Sequence, residues 1–322
     1  MRWLPGRRTR RVLALLLVTA TVLVVWQVRR LRADPTERIL ERSRAPFTDH
    51  LQEVRALDAA RIEYRRVEAE SGLATEYALN IPAPPARGAD RVPTPLIILL
   101  GGQRTGRDAV ELVGDTRGVL VAALSYPYQG EPKPKGLAFL AAIPRIQEAL
   151  LDAPAAILLV RRALLERRDL EISRVELVGV SLGSPFVVYA GSLEQGFERV
   201  WSIHGSGRLD VLLERSLETR IGFGPLRGGV AGLAYLLAHG PPLAPERHVG
   251  QIAPRPFVMI NAAADVQLPR ECVESLFDAA REPKELVWLE GGHVRPGKAE
   301  VIRELVDRVL DRLELEGLLP AD

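Results

Sequence analysis

Apolar residues occur along most of the chain in short continuous runs that alternate with longer amphipathic stretches. Runs of strand length lie at residues 96–100, 119–124, 175–180, 200–203, 257–260 and 286–289, and helical patterns occupy residues 155–167, 185–193, 270–280 and 298–315. Strands that are apolar throughout are buried on both faces, and strands that alternate with helices are typical of a parallel sheet. The pattern therefore predicts an α/β fold, with helices on both faces of a mostly parallel central sheet.

The N-terminal region does not follow this alternation of strand and helix patterns. Residues 12–28 are uncharged and largely apolar, and Arg10, Arg11, Arg29 and Arg30 flank them. At about 1.5 Å per residue a helix of this length covers roughly 26 Å, close to the thickness of a bilayer core. The residues that follow lack the small side chains of a signal-peptide cleavage site. We therefore expect an uncleaved membrane anchor; a cleaved signal peptide and a buried core helix are the alternatives.

Arginines lie on both sides of this segment, so their count does not decide its orientation. A short basic tail before an apolar span is typical of a signal-anchor that keeps its N-terminus inside. The sequence thus predicts a single-pass protein of the cell membrane whose α/β domain is extracytoplasmic. The predicted organisation is a basic tail (1–11), a transmembrane signal-anchor helix (12–28), a juxtamembrane linker with short helices (29–58) and the α/β domain (59–322). Within this domain, residues 206–254 are a candidate small cap, for which a core helix is the alternative.

Composition narrows the class further. The chain has 322 residues, of which 47% are hydrophobic and 26% charged, so a packed globular domain is expected rather than a disordered or multi-span chain. Eleven arginines fall in the first 44 residues, which leaves the remainder mildly acidic and makes nucleic acid an unlikely partner. The single cysteine, Cys272, permits neither an internal disulfide nor a thiolate cluster, and no histidine pair has ligand spacing. We expect no metal and no cofactor.

One short motif indicates a candidate catalytic residue. Residues 179–183 read GVSLG, which satisfies G-x-S-x-G; the apolar run before them predicts a strand, and the stretch after them predicts a helix with Pro185 in its first turn. A sharp strand-to-helix turn of this kind raises a serine hydroxyl above the sheet. Ser181 is therefore the candidate nucleophile. The alternative is a serine that caps the helix in an ordinary turn.

The motif, its place after a mid-chain strand and the surrounding elements resemble the α/β-hydrolase family over about residues 60–318. In that family the catalytic residues follow in the order nucleophile, acid, histidine. The resemblance implies Asp265 as the acid, in a loop that precedes Pro269, although the family's glycine before the acid is absent here. It also implies His293 as the base, in a Gly-Gly-His loop before the last helix. An ordinary turn aspartate and a surface histidine are the alternatives.

The resemblance also implies an oxyanion hole with two backbone donors. One is the N–H of Leu182, directly after the nucleophile. The other is expected from the loop after the strand at residues 96–100, where Gly102 or Gln103 would supply it. This loop begins Gly-Gly-Gln and so departs from the family's His-Gly pattern.

Other residues of suitable chemistry have simpler interpretations. Ser206 lies between two glycines, but no helix begins clearly after it. His204 lines the pocket or packs against the sheet edge, of which we favour packing, and Cys272 is expected in the core.

The sequence as a whole predicts a serine hydrolase that cleaves a small-molecule ester or thioester through an acyl-enzyme, with a hydrophobic acyl group as one candidate. The alternatives are a noncatalytic binding protein of the same fold and a prolyl-type serine peptidase.

Overall fold

The computed structural model describes residues 7–57, 60–83, 93–102, 105–131, 133–293 and 299–319. Within them nine strands form one sheet in the order β1-β2-β3-β5-β4-β6-β7-β8-β9. The strands are β1 (Phe47–Leu57), β2 (Ala60–Ala69), β3 (Ala74–Ile81), β4 (Thr94–Leu100), β5 (Leu120–Leu124), β6 (Ile172–Val180), β7 (Arg199–Ile203), β8 (Phe257–Ala262) and β9 (Lys284–Leu289). Six neighbouring strands of this sheet are parallel: β5, β4, β6, β7, β8 and β9. The predicted α/β fold is confirmed.

The first three strands extend one edge of the sheet in antiparallel fashion. Strands β2 and β3 are consecutive in the chain and form an antiparallel hairpin. Strand β1 lies where the sequence placed a linker. Most of its residues are exposed because it is the edge strand, so it shows no continuous apolar run that could reveal it.

The helices cover both faces of this sheet. They are α1 (Arg7–Arg32), α2 (Thr36–Arg44), α3 (Leu137–Leu165), α4 (Ser184–Leu193), α5 (Leu209–Ser216), α6 (Gly224–Leu237), α7 (Gly240–Leu243), α8 (Arg270–Ala279) and α9 (Ala299–Leu315). Apolar residues of α2, α3, α4 and α8 form one core with the sheet, and residues of α9 and of a 3₁₀ turn after β4 form the other. Helix α3 contains two prolines and begins well before the predicted helix at residues 155–167.

The predicted membrane anchor at residues 12–28 is wrong, and with it the single-pass location in the cell membrane and the extracytoplasmic α/β domain. In the part of the chain that the structure describes, no helix combines the length and the apolar character that crossing a bilayer requires. The segment lies inside α1, where arginines interrupt the apolar residues at both ends. Its uncharged core is shorter than the roughly 20 residues typical of a span.

The topology gathers four chain segments at one edge of the sheet. Strands β6, β7, β8 and β9 are parallel neighbours, so their carboxyl ends lie side by side. Ser181 follows β6, His204 follows β7, Asp265 lies in the loop after β8, and His293 lies in the loop after β9. Ligand sites of open α/β sheets lie at such carboxyl ends. The candidate functional residues therefore lie together at the carboxyl edge of the sheet.

Candidate active site

The turn from β6 into α4 holds Ser181 in a strained conformation. Val180 still has extended backbone angles, whereas Ser181 has φ of +54°, in the left-handed region that side chains other than glycine rarely adopt. A short 3₁₀ turn, Ser181–Gly183, then leads into α4 with Pro185 in its first turn. This strand-to-helix turn is the structure that G-x-S-x-G predicts, and it raises the hydroxyl above the end of the sheet.

The two glycines of the motif are required because the turn is crowded. A Cβ atom at Gly179 would overlap the side chain of Val187 in α4. A Cβ atom at Gly183 would overlap the backbone oxygen of Leu100, at the end of β4. Glycine at both positions therefore allows α4 to pack directly against the strands below Ser181.

Ser181, His293 and Asp265 form a continuous chain of hydrogen bonds. The Ser181 hydroxyl donates to Nε2 of His293 over 2.9 Å, and Nδ1–H of His293 donates to Oδ2 of Asp265 over 2.6 Å. The side chains of His293 and Asp265 are only 9% and 2% exposed. A carboxylate on one imidazole nitrogen and a hydroxyl on the other is the arrangement in which histidine can accept a serine proton.

Backbone hydrogen bonds tie the loop of Asp265 to the loop of His293. The N–H of Ala263 donates to the carbonyl of Leu289 over 2.8 Å, and the N–H of Ala264 donates to the carbonyl of Gly291 over 3.0 Å. Gly291 has φ of +99°, which favours glycine at this turn. The acid and the base are thus held in register by the main chain on either side of them.

Asp265 stays ionised although it is buried. Burial alone raises the pKa of Asp265, but hydrogen bonds from His204 and His293 outweigh it and hold this pKa well below its ordinary range. Its other oxygen, Oδ1, accepts from the backbone N–H groups of Gln267 and Leu268 at 2.8 and 3.1 Å. An ionised carboxylate here can stabilise an imidazolium during catalysis.

The sequence favoured packing against the sheet edge for His204, and the structure adds a contact. Nδ1 of His204 lies 3.3 Å from Oδ2 of Asp265, the oxygen that also contacts His293. Its ring meets that of His293 edge to face, with the centroids 5.1 Å apart. The rule that residues just past parallel strands converge could have identified it, since it directly follows β7.

Two of the predicted oxyanion donors, Leu182 and Gly102, lie in the described part of the chain. Leu182 directly follows the nucleophile in the 3₁₀ turn. Gly102 lies in the loop after β4, and the end of β4 approaches the turn at Ser181 so closely that a Cβ atom at Gly183 would overlap the Leu100 carbonyl. Gln103, the other predicted donor, lies outside the described residues. The donors therefore stay predictions, although the main-chain path brings the two segments together.

Two side chains donate hydrogen bonds to carbonyl groups of the loop after β4. The hydroxyl of Tyr126 donates to the Gly101 carbonyl over 2.9 Å, and its ring packs edge to face on Phe186 of α4. The hydroxyl of Thr105 donates to the Gly102 carbonyl over 2.9 Å. With these carbonyls engaged, the loop conformation beside Ser181 is restrained.

A metal ion is a possible occupant of the histidine and aspartate cluster on ligand type alone. One ligand atom from each of His204, Asp265 and His293 lies within 4.8 Å of the others. However, the 2.6 Å between His293 Nδ1 and Asp265 Oδ2 is a hydrogen-bond distance. Two ligands of a tetrahedral zinc ion, each about 2.1 Å from it, would be about 3.4 Å apart. The spacing therefore fits a shared proton better than a metal.

Ser206 and Cys272, the other candidate nucleophiles in the sequence, do not belong to this cluster. Ser206 is 3% exposed, and in the described contacts it does not pair with a histidine. Cys272 is fully buried in α8, and burial raises the pKa of its thiol. Such a thiol remains protonated and behaves as a small apolar side chain.

Comparison with known proteins supports the fold assignment. The chain superposes on an acetyl xylan esterase from Paenibacillus sp. R4 with a TM-score of 0.57 and 14% identity, covering 85% of this chain and 92% of that one. Acetyl xylan esterase 1 from Thermoanaerobacterium sp. JW/SL YS485 gives 0.57 and 13%, covering 88% and 98%. These similarities concern the fold, and the chain has the fold of the α/β-hydrolase esterases.

Sequence comparison is less informative. No family model matches the chain. The uncharacterized protein YfhR of Salmonella typhimurium is 28% identical over 151 residues, which is 46% of this chain and 49% of that protein. The match thus spans about half the length of this curated relative.

Proposed function

We propose that this protein is a serine hydrolase that cleaves an ester or thioester through an acyl-enzyme. The observation that carries the proposal is the pair of contacts made by His293, at 2.9 Å from the Ser181 hydroxyl and 2.6 Å from the Asp265 carboxylate. The triad members come from three separate loops, so their meeting is a property of the fold. A buried, ionised acid beside a base that contacts a strained serine is the arrangement expected of a nucleophile and its general base.

The reaction follows from the positions of the atoms. His293 Nε2 accepts the hydroxyl proton as Ser181 Oγ attacks the carbonyl carbon of the substrate. The tetrahedral oxyanion would be stabilised by backbone N–H groups of Leu182 and of the loop at Gly102. His293 then gives the proton to the departing alcohol or thiol, which leaves the acyl group on Ser181. Water deprotonated by the same imidazole hydrolyses the acyl-enzyme.

The substrate class is supported by the neighbours and by the segment after β7. The structural neighbours are named as acetyl xylan esterases, which makes an ester a reasonable substrate here. Residues 206–254 separate β7 from β8 and contain α5, α6 and α7. Phe223, Leu226 and Leu233, within or just before α6, are exposed apolar residues. We propose that this segment is a cap whose apolar side chains favour a hydrophobic acyl group.

The proposal is tested with a fluorophosphonate probe on the full-length chain, followed by intact mass and p-nitrophenyl ester assays. We expect stoichiometric labelling that is abolished in Ser181→Ala. Ser206→Ala is the matched control, because it removes a serine hydroxyl from the loop after the neighbouring strand β7, and it should label like the wild type. A series of esters of increasing acyl length then reports the substrate preference.

Two outcomes count against the proposal. A folded wild-type chain that neither labels nor hydrolyses any ester would instead support a noncatalytic binding protein of this fold. Labelling that persists in Ser181→Ala would mean that another residue is the nucleophile. A preference for acetate over octanoate would contradict only the hydrophobic acyl group.

A further inference from the structure

The carboxylate of Asp265 is shared by two histidines. Oδ2 lies 2.6 Å from Nδ1 of His293 and 3.3 Å from Nδ1 of His204. The side chains of His204 and Asp265 are each only 2% exposed, so water does not compete appreciably for this contact. An ionised carboxylate can only accept hydrogen bonds, and the contact therefore assigns a hydrogen to Nδ1 of His204.

The backbone of His204 is strained in a way that aims its ring at the acid. Its φ of +47° lies in the left-handed region, which is unfavourable for a residue other than glycine. Strained conformations persist only where the surroundings determine them, and they concentrate at functional sites. The five residues before His204, Arg199–Ile203, form the regular strand β7, so the strain is confined to the end of the strand.

The surroundings hold this conformation from both sides. The N–H of His204 donates to the Ile260 carbonyl over 2.7 Å, which continues the pairing of β7 with β8. The side-chain amide of Asn261 donates to the Gly205 carbonyl over 2.9 Å. A Cβ atom at Gly205 would overlap the hydroxyls of Ser184 and Ser202, which are buried and hydrogen-bonded to each other over 2.6 Å. The chain therefore turns directly over the start of α4.

Asp265 has few other partners. Its Oδ1 accepts two backbone N–H groups, and its Oδ2 accepts the two imidazoles. Among the described residues no lysine or arginine forms an ion pair with it. Of the side chains that the structure describes, His204 is thus one of two that contact Oδ2. If it were removed, the carboxylate could rotate, and the direction in which it accepts the His293 hydrogen would no longer be fixed.

We propose that His204 is a positioning residue for hydrolysis, acting through Asp265: its Nδ1–H holds the carboxylate in the orientation that aligns His293 with Ser181. The inference rests on the proposed function, since alignment matters only if Ser181 is the nucleophile. The ring of His204 packs against that of His293, but its hydrogen bond goes to Asp265, and the effect that we propose passes through this carboxylate. Its loss should lower kcat and leave KM nearly unchanged.

The test uses two substitutions in the full-length chain. His204→Gly adopts the left-handed conformation without strain and removes the donor. His204→Asn also tolerates this conformation and keeps an amide N–H close to the position of Nδ1. Arg117→Gly is the matched control, because Arg117 also has a left-handed backbone with φ of +49°, and in the described ion pairs its side chain contacts acidic residues of α9 and not Asp265.

Kinetics are measured with the p-nitrophenyl ester that the wild type hydrolyses fastest. We expect His204→Gly to lower kcat about tenfold to a hundredfold, as small misalignments do, with KM changed less than about threefold. His204→Asn should recover most of the loss, and Arg117→Gly should match the wild type. In an Asp265→Asn background, itself expected to lose about 10⁴ in kcat, His204→Gly should cost almost nothing further.

A second measurement does not depend on turnover. Proton NMR of the wild-type chain with labelled histidine should show two low-field Nδ1–H resonances, and His204→Asn should remove one and shift the other. Absence of a hydrogen-bonded His204 resonance would overturn the proposal. So would an unchanged kcat in His204→Gly, an equal loss in the Asp265→Asn background, or no recovery in His204→Asn. Hydrolysis that survives Ser181→Ala would instead reject the proposed function.

Discussion

At the scale of the residue, backbone strain coincides with the candidate chemistry. Ser181 and His204 both have left-handed backbones, and each is the first residue after its strand. Both strands are neighbours in the sheet, so the strain lies at one point of its edge. Each conformation costs free energy that the packing around α4 and β8 must offset. The position of these side chains is therefore determined by the whole sheet edge and not by local preference.

The sequence was informative about some of these residues for identifiable reasons. Ser181 lies in a motif whose spacing reflects a local turn, and the resemblance to a family then pointed to Asp265 and His293. The second partner of Asp265 has no such spacing, because the contact between His204 and Asp265 joins two loops that are 61 residues apart. A histidine that follows a strand can have several roles, and only the distance from His204 to Asp265 distinguishes between them.

The ionised state of Asp265 predicts a difference in acid stability. Its pKa is lowered in the folded chain, so the carboxylate contributes stability that is complete above its unfolded pKa of about 3.9 and declines as the pH falls below it. The Asp265→Asn variant cannot titrate at this position. Between pH 5 and pH 3 the wild type should therefore lose about 1 kcal/mol more unfolding free energy than the variant.

Guanidinium unfolding of both chains at matched pH measures this difference. All other carboxylates titrate in both proteins, so their contributions cancel in the comparison. Equal losses in the two chains would mean that the pKa of Asp265 is not lowered by folding.

At the scale of the element, the decisive contact is between the nucleophile turn and β4. The first turn after Ser181 lies against the end of a strand that enters the sheet about 80 residues earlier in the chain. Gly183 permits this approach, and the loop that follows β4 carries Gly101 and Gly102 to the same place. The sequence motif specifies the turn, whereas the pairing of β4 with β6 specifies what the turn contacts.

This contact predicts opposite effects for one substitution at two glycines. Gly183→Ala places a methyl group against the Leu100 carbonyl, so we expect a loss of about 1–3 kcal/mol in unfolding free energy, as in overpacked cores, together with loss of esterase activity. Gly232→Ala lies in α6 with open space around the new methyl group. It should be neutral or stabilise the chain by up to about 1 kcal/mol, because alanine favours helix.

Denaturant unfolding and ester hydrolysis of the two variants check this pair. If Gly183→Ala keeps both the stability and the activity of the wild type, the turn does not approach β4 as closely as described. A loss in Gly232→Ala would indicate that α6 packs against another surface.

At the scale of the whole molecule, the segment before the hairpin is integrated into the fold. Ile39 of α2 is 1% exposed and belongs to the larger core. The hydroxyl of Thr36 lies 2.9 Å from that of Tyr189 in α4, and Arg42 pairs with the buried Asp152 of α3 at 2.8 Å. Residues that the sequence assigned to a linker thus cover α3 and α4, the helices behind the nucleophile.

This packing predicts that α2 contributes to global stability. Ile39→Ala removes buried methyl and methylene groups and should cost about 2–4 kcal/mol. Glu41→Ala, on the exposed face of the same helix, is the control and should change stability by less than about 0.5 kcal/mol. Thermal and denaturant unfolding, with hydrogen exchange across residues 36–44, provide the measurement. An unaltered midpoint in Ile39→Ala would indicate that α2 does not belong to the cooperative core.

The sequence by itself determined the features that depend on neighbours along the chain. Continuous apolar runs specified the parallel strands, because a strand buried on both faces needs apolar residues at every position. The G-x-S-x-G spacing specified the nucleophile turn, because only small residues fit there.

Tertiary structure decided what depends on distant segments. The apolar character of residues 12–28 suggested a membrane span, yet α1 as a whole does not meet the requirement for one. The edge strand β1 shows no apolar run, because few of its side chains are buried. Only the meeting of strand ends at one sheet edge brings a second imidazole to Asp265. Such contacts follow from chain topology, and no local pattern encodes them.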